Sequence, residues 1–249
     1  MRTLKKVGRR QFLRKFLLCI ATLIISVLKP FSESLRSAQA RLNFWRASEY
    51  VGKTREGRYK KFYIQYYKPF RRIEGDRWRL KVTGLCETPQ EFTLEALKEL
   101  PRIRQISRIK CVECWSAKAE WEGFSIFDLE KAVRPHPEVL GIVFHCADTY
   151  VEYLSLEEMH HDRAMLVHTM NQKPISDEHG FPLRVIIPFK YGYKSPKAIL
   201  ELEFVDRFKR GTWTQIGPYS SDGTILPGYD HPLDQGKKRR RIFGGEIID

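Results

Sequence analysis

The residues of this chain best suited to chemistry are two cysteines, Cys111 and Cys114, in the stretch Arg108-Ile-Lys-Cys-Val-Glu-Cys-Trp115-Ser116. A thiolate is both a nucleophile and a soft metal ligand, and Arg108 and Lys110 favour the charged form. The Cys-x-x-Cys spacing supports three chemistries. A structural zinc site needs two more ligands; Cys86 and Cys146 are present, but no second close pair is. A dithiol redox site opens a helix within a strand–helix–strand pattern, and no such pattern surrounds Cys111. Covalent haem attachment needs His directly after the second Cys, where Trp115 stands. For Cys114 the plain alternative is a cysteine buried on a strand.

The elements that must position these residues are short. Trp78–Thr83 alternates apolar and polar residues, as a half-buried strand does, and Gly84 ends it. Thr93 is suited to cap a helix over Leu94–Leu100, which Pro101 halts, and Ser125–Val133 forms a second helix before Pro135. Gly141–His145 and Ala164–Met170 read as strands with a helical turn at Leu156–His160 between them. Arg184–Ile187 reads as a buried strand entering Pro188, and Ile199–Val205 alternates again. Beyond Arg210 the Gly and Pro content predicts loop and turn. No internal repeat is visible. The mixture predicts an α+β fold rich in connecting loops, where cofactor-binding residues tend to sit.

The 249 residues suffice for one substantial core or for one domain with an export segment. At 42% hydrophobic and 12% aromatic, the composition is that of a globular protein. The formal charge of +14 invites a nucleic-acid reading, but its distribution opposes one. Residues 1–40 carry nine basic side chains and one acid, Glu33, and residues 237–249 carry five and two. The surplus is mostly terminal, so no broad phosphate-tracking face is implied and no nucleic-acid partner is expected. The Lys237–Arg241 run reads as a solvated stretch, with anionic lipid or an acidic partner as the alternative. Cys19 lies in the N-terminal segment; the other four cysteines are irregularly spaced, unlike a small disulfide-stapled domain.

The first forty residues read as an address. A basic stretch leads into an apolar run from Phe16 to Leu28, and 13 residues is short for a permanent membrane span. Arg9-Arg10-Gln-Phe-Leu-Arg14 resembles a twin-arginine export signal, and Ala38-Gln39-Ala40 offers a cleavage site. This predicts export to the periplasm of an already folded, cofactor-containing protein, with an uncleaved anchor as the alternative. Residues 41–61 form a basic lead-in, and residues 62–249 the functional domain with a loop-rich basic tail.

Cys111-Val-Glu-Cys-Trp-Ser followed by Trp121-Glu-Gly-Phe124 resembles the metal-binding segment of the sulfite oxidase superfamily, and in particular its branch of periplasmic methionine sulfoxide reductase catalytic subunits. The resemblance implies a sulfite-oxidase-type molybdopterin-binding fold without the haem or dimerisation domains of sulfite oxidases. It assigns molybdenum to Cys111 and no role to Cys114. A second segment, His179-Gly-Phe-Pro-Leu-Arg184-Val-Ile-Ile-Pro-Phe-Lys-Tyr-Gly192-Tyr193-Lys194, resembles the stretch that grips the pterin and its phosphate. The matching positions are His179, Arg184, Gly192, Tyr193 and Lys194. The chemistry is apt, since a phosphate wants Arg and Lys donors and Gly permits close backbone approach.

Two further segments extend the match. Phe144-His-Cys146-Ala-Asp148-Thr149-Tyr150 is similar to the family's Phe-His-Cys-Ala-Asp-Gly-Tyr, which places Cys146 and Asp148 at the cofactor. It also makes Tyr150 a candidate donor to an oxo group or substrate, with a core aromatic as the alternative. Gln65-Tyr66-Tyr67 stands where sulfite oxidases carry Arg-Asn-His, so Gln65 and Tyr66 fall at the cofactor. Loss of that cation disfavours a dianionic substrate. The resemblance thus implies molybdenum on one pyranopterin dithiolene and oxygen-atom transfer, with reduction of S-oxides such as methionine sulfoxide preferred over sulfite oxidation. A non-enzymatic exported binding protein on the same scaffold is the remaining class. Electrons must pass to or from a separate protein, for which a membrane haem subunit is the expectation.

Overall fold

The sequence Gly141-Ile-Val-Phe-His-Cys146 is apolar on both sides of a strand's two-residue period, and the structure buries both. Ile142, Phe144 and Cys146 enter the main core, while Val143 joins Tyr153 and Val205 in a small cluster on the outer face. The computed structural model describes residues 62, 64, 67–69, 72–112 and 116–226. The export segment, the lead-in over 41–61, Gln65, Tyr66, Cys114 and the basic tail lie outside the described residues.

Two sheets carry the described chain. The first contains β1 (Arg79–Gly84), β2 (Gln90–Thr93), β5 (Gly141–Cys146), β6 (Val151–Ser155) and β10 (Ile199–Val205) in the order β2-β1-β10-β5-β6. Only β1 and β10 run parallel, with Lys81 opposite Glu201. The second contains β3 (Ile103–Lys110), β4 (Ser116–Phe124), β7 (Met165–Met170) and β8 (Lys173–Pro174) in that order, with β9 (Arg184–Ile186) paired to the other half of β7. Strand alternation separates two cores. Leu166 and Val185 face the main core with Leu80, Leu129 and Phe204. Met165, Val167 and Ile186 face a second core with Phe62, Ile109 and Trp121.

The helices among the described residues are short, and three of the four are capped by side chains. Thr93 Oγ1 accepts from Ala96 N at 3.0 Å at the start of α1 (Leu94–Lys98), and Ser125 caps α2 (Ile126–Val133). At α3 (Leu156–Met159), Ser155 Oγ accepts from Glu158 N at 3.1 Å while Glu158 Oε2 accepts from Ser155 N at 2.8 Å.

Most expected elements form within a residue or two of their predicted ends. Five strands and one helix were not expected; β2 and β8 are short and polar, and the others have particular causes. In β4 the buried positions Ala117 and Ala119 are too small to give an alternating apolar signal, although Trp121 continues their face. β3 interleaves Arg104, Gln105 and Ser107 with its isoleucines. In β6 the buried Glu152 interrupts the pattern. After Arg210, where loop was expected, α4 (Thr212–Ile216) forms from a stretch in which only Gln215 is a good helix former, helped by Thr214 Oγ1 donating to Gly211 O at 2.8 Å. Replacing the capping-box serine, Ser155→Ala, is expected to cost about 1 kcal/mol. A lower urea midpoint at unchanged m-value would register it.

Candidate functional site

β3 delivers Cys111 directly after its last residue, and the thiol-bearing residue is half-buried. The strand end is backed by a tight turn. Lys110 makes a parallel bridge to Tyr191, and the 3-10 turn Gly192–Lys194 follows. A Cβ on Gly192 would sit 3.0 Å from Ile109 Cγ2 and 3.4 Å from the Lys110 carbonyl oxygen, so a glycine allows this approach. The same segment then continues to Lys197, which bridges to Arg184 on β9. One short stretch therefore starts beside the Cys111 strand and ends beside a second cluster.

That cluster is cationic, with His179 and Arg184 buried and Lys197 half-buried. The Arg184 guanidinium lies over the Trp121 ring at 5.3 Å, and its Nη1 donates to His179 O at 2.9 Å. Phe62 packs edge-on against both Trp121 and His179, with centroids 5.9 and 5.5 Å apart. Lys197 Nζ donates to Glu178 O at 3.0 Å. Burial, Arg184 and Lys197 push His179 down to about 3, so its imidazole is neutral. Burial brings Arg184 down to about 10, and burial with the Arg184 charge brings Lys197 down to about 7. Two groups that prefer to be cations are held close together, Arg184 buried and Lys197 half-buried.

Cys146 and Asp148 border this cluster. Ala147 N donates to Ala198 O at 2.9 Å, which sets the Cys146–Asp148 turn against Lys197. Asp148 takes hydrogen bonds from Tyr67 N (2.9 Å) and Tyr150 N (3.1 Å). Burial raises its carboxyl nevertheless, and burial with Asp148 raises the Cys146 thiol well above its usual value. The backbone here is strained at two positions. Thr149 and Ala198 both adopt left-handed backbone, at φ 64° and 55°.

Two residues depart from the sequence expectation. Lys194, read as a phosphate donor, is 2% exposed and ion-paired to Glu152, Nζ to Oε1 at 2.6 Å, and also donates to Tyr153 O at 2.7 Å. The lysine beside Arg184 is Lys197, which sequence reasoning passed over because it lies beyond the Gly-aromatic-Lys triplet. Tyr150, read as a donor to substrate, is buried with its hydroxyl 2.8 Å from Glu152 Oε2 and 2.6 Å from Tyr193 O. It takes the core alternative. Tyr193 in turn donates to Ser220 O at 2.6 Å.

The oxidoreductase molybdopterin binding domain model matches residues 67–213, more than half of the chain. The chain belongs to that family. It is 29% identical to the protein-methionine-sulfoxide reductase catalytic subunit of Xanthomonas campestris, covering 95% of this chain and 82% of that one. With its counterpart in Xanthomonas axonopodis the identity is 31%, covering 83% and 72%. Among solved structures, the sulfane dehydrogenase SoxCD of Paracoccus pantotrophus superposes with a TM-score of 0.58 at 18% identity, over 78% of this chain and 51% of that one, which shows a common fold. The architecture is the sulfite-oxidase-type molybdopterin-binding fold, and the protein is a molybdopterin-dependent oxidoreductase.

The residues present fit that cofactor. His179 Nε2 and Arg184 Nε are buried with no hydrogen-bond partner, a costly arrangement unless a polar ligand meets them. Lys197 brings a second positive charge, as a phosphate requires.

Two predictions follow from the charge and the strain. Lys197 titrates near 7 when folded against 10.5 ordinarily, so between those values the unfolded chain holds more protons and stability of the cofactor-free protein rises with pH. Lys197→Met is expected to flatten that rise, to raise cofactor-free stability near neutral pH, and to weaken pterin retention. Denaturant titrations at pH 7 and 10 with pterin assay check all three. Thr149→Gly relieves a β-branched residue at positive φ and is expected to add about 1 kcal/mol, read as a higher melting midpoint.

Proposed function

We propose that this chain reduces S-oxides, with methionine sulfoxide as the substrate class, using molybdenum held by Cys111 and a pterin held at the buried cationic cluster. The observation that carries this reading is the pair of unpartnered buried nitrogens, His179 Nε2 and Arg184 Nε, beside Lys197. When bound, the cofactor supplies two-electron oxygen-atom transfer. The chain's own share is ligation, charge balance and exclusion of water. Arg184 and Lys197 neutralise the phosphate, and the Trp121 and Phe62 rings wall the guanidinium and His179. Neutral His179 offers Nε2 to a polar atom of the pterin, as donor or acceptor by tautomer. Gly192 lets the backbone close on the Cys111 strand.

The substrate preference rests on the curated relatives, whose names describe protein-methionine-sulfoxide reductase catalytic subunits. It also rests on Gln65-Tyr66-Tyr67, which lacks the cation a sulfite site would want. The word "subunit" in those names supports a separate electron-transfer partner, for which we propose a membrane haem protein. The Arg9-Arg10 segment supports export to the periplasm by the twin-arginine route.

The test is a steady-state assay of molybdenum-loaded protein with a reduced dye and methionine sulfoxide, alongside an acceptor dye and sulfite. Turnover of the sulfoxide is expected, and Cys111→Ser is expected to lose both molybdenum and turnover while keeping its fold. Turnover of sulfite alone would replace this reading with a sulfite dehydrogenase.

A further inference from the structure

Lys194 and Glu152 form a fully enclosed ion pair that the cofactor reading leaves without a task. Glu152 is 0% exposed on the inner face of β6. Its Oε1 accepts from Lys194 Nζ at 2.6 Å and from Tyr153 N at 3.1 Å, and its Oε2 lies 2.8 Å from the Tyr150 hydroxyl. Gly211 closes the far side, since a Cβ there would stand 2.4 Å from both carboxylate oxygens. Burying two charges costs desolvation that their attraction barely offsets, so such a pair is weak as a source of stability. What it does supply is direction. Each hydrogen bond fixes the position of the backbone that carries it.

That backbone is the Gly192–Lys194 turn. One end is tied through Lys194 to Glu152, and its middle through the Tyr193 carbonyl, 2.6 Å from the same Tyr150 hydroxyl that meets Glu152. The other end is tied through the Tyr191 bridge to Lys110, with Gly192 against Ile109 and Lys110. The turn thus spans the space between Glu152 and the strand end that delivers Cys111. We propose that Glu152 and Lys194 are positioning residues, an ion pair whose task is to hold this turn, and through it the Cys111 backbone, in place. Lys194 on this account never touches the cofactor phosphate. The proposal rests on Cys111 as metal ligand and is independent of which oxide is reduced.

Three variants test it, made in a host that loads molybdenum: Lys194→Met, Glu152→Gln and the double variant, which removes both charges of the pair. Thermal midpoint, molybdenum and pterin per chain, and the Mo(V) electron paramagnetic resonance spectrum are read for each. Each single change is expected to lower the midpoint and the double to recover most of the loss, with pterin retained wherever the protein folds. In the double variant the Mo(V) spectrum is expected to shift, and kcat to fall about tenfold at unchanged KM, because the turn relaxes under the Cys111 strand. A double variant with the parent's spectrum and kcat would make the pair mere scaffold and overturn the proposal. Loss of pterin in Lys194→Met but not in Glu152→Gln would also overturn it, by returning Lys194 to the cofactor. If sulfoxide turnover is absent throughout, the reading of the substrate fails while the spectrum and the pterin content still decide this one.

Discussion

The arrangement around the site depends on keeping Arg184 and Lys197 side by side, one buried and the other half-buried. Two like charges in a low-dielectric pocket repel, and neither is held there by its own preference. The surrounding structure supplies the restraint. Trp121 from the second sheet lies under the guanidinium, and the His179 carbonyl accepts one of its protons. The Cys146–Asp148 turn brings a carboxyl toward Lys197. Each restraint arrives on a different element, so the two sheets and the loops between them must all be in register for the pocket to exist.

The same elements explain how the pocket and Cys111 come to share a site. Residues 191–198 run from the bridge with Lys110 to the bridge with Arg184, and hydrogen bonds from Val185 N to Pro196 O and from Ala147 N to Ala198 O fix their far end. The stretch is anchored by side-chain chemistry at the middle and by backbone pairing at both ends. A loop so anchored can line a binding site without the mobility that loops usually carry.

Much of this was legible in the sequence. Regular alternation in β1 and β10, the capping residue Thr93 and the helix breakers Pro101 and Pro135 gave element type and place, because those signals are local. The recurring motifs pointed to Cys111, Cys146, Asp148, His179 and Arg184, and the last four gather in one cluster. Lys194 was read as the phosphate donor and Lys197 was passed over. Both follow Gly192 within five residues, and only the register of the turn decides which ammonium meets Glu152 and which meets Arg184. Glu152 was equally hidden, since an acidic residue in a short apolar stretch signals solvent until a buried cation is known to face it. β4 escaped notice because alanines pack its face where larger residues would have given a pattern.

The unpartnered nitrogens of His179 and Arg184 bear on more than ligand geometry. A pocket that is uncomfortable when empty makes its ligand a component of the folded state, because whatever binds only the native form adds its binding free energy to the fold. Filled and unfilled chains then differ in lifetime as well as in chemistry. Proteolysis that follows transient opening acts first on the less stable form, so a ligand bound at this site would lengthen the life of the folded chain.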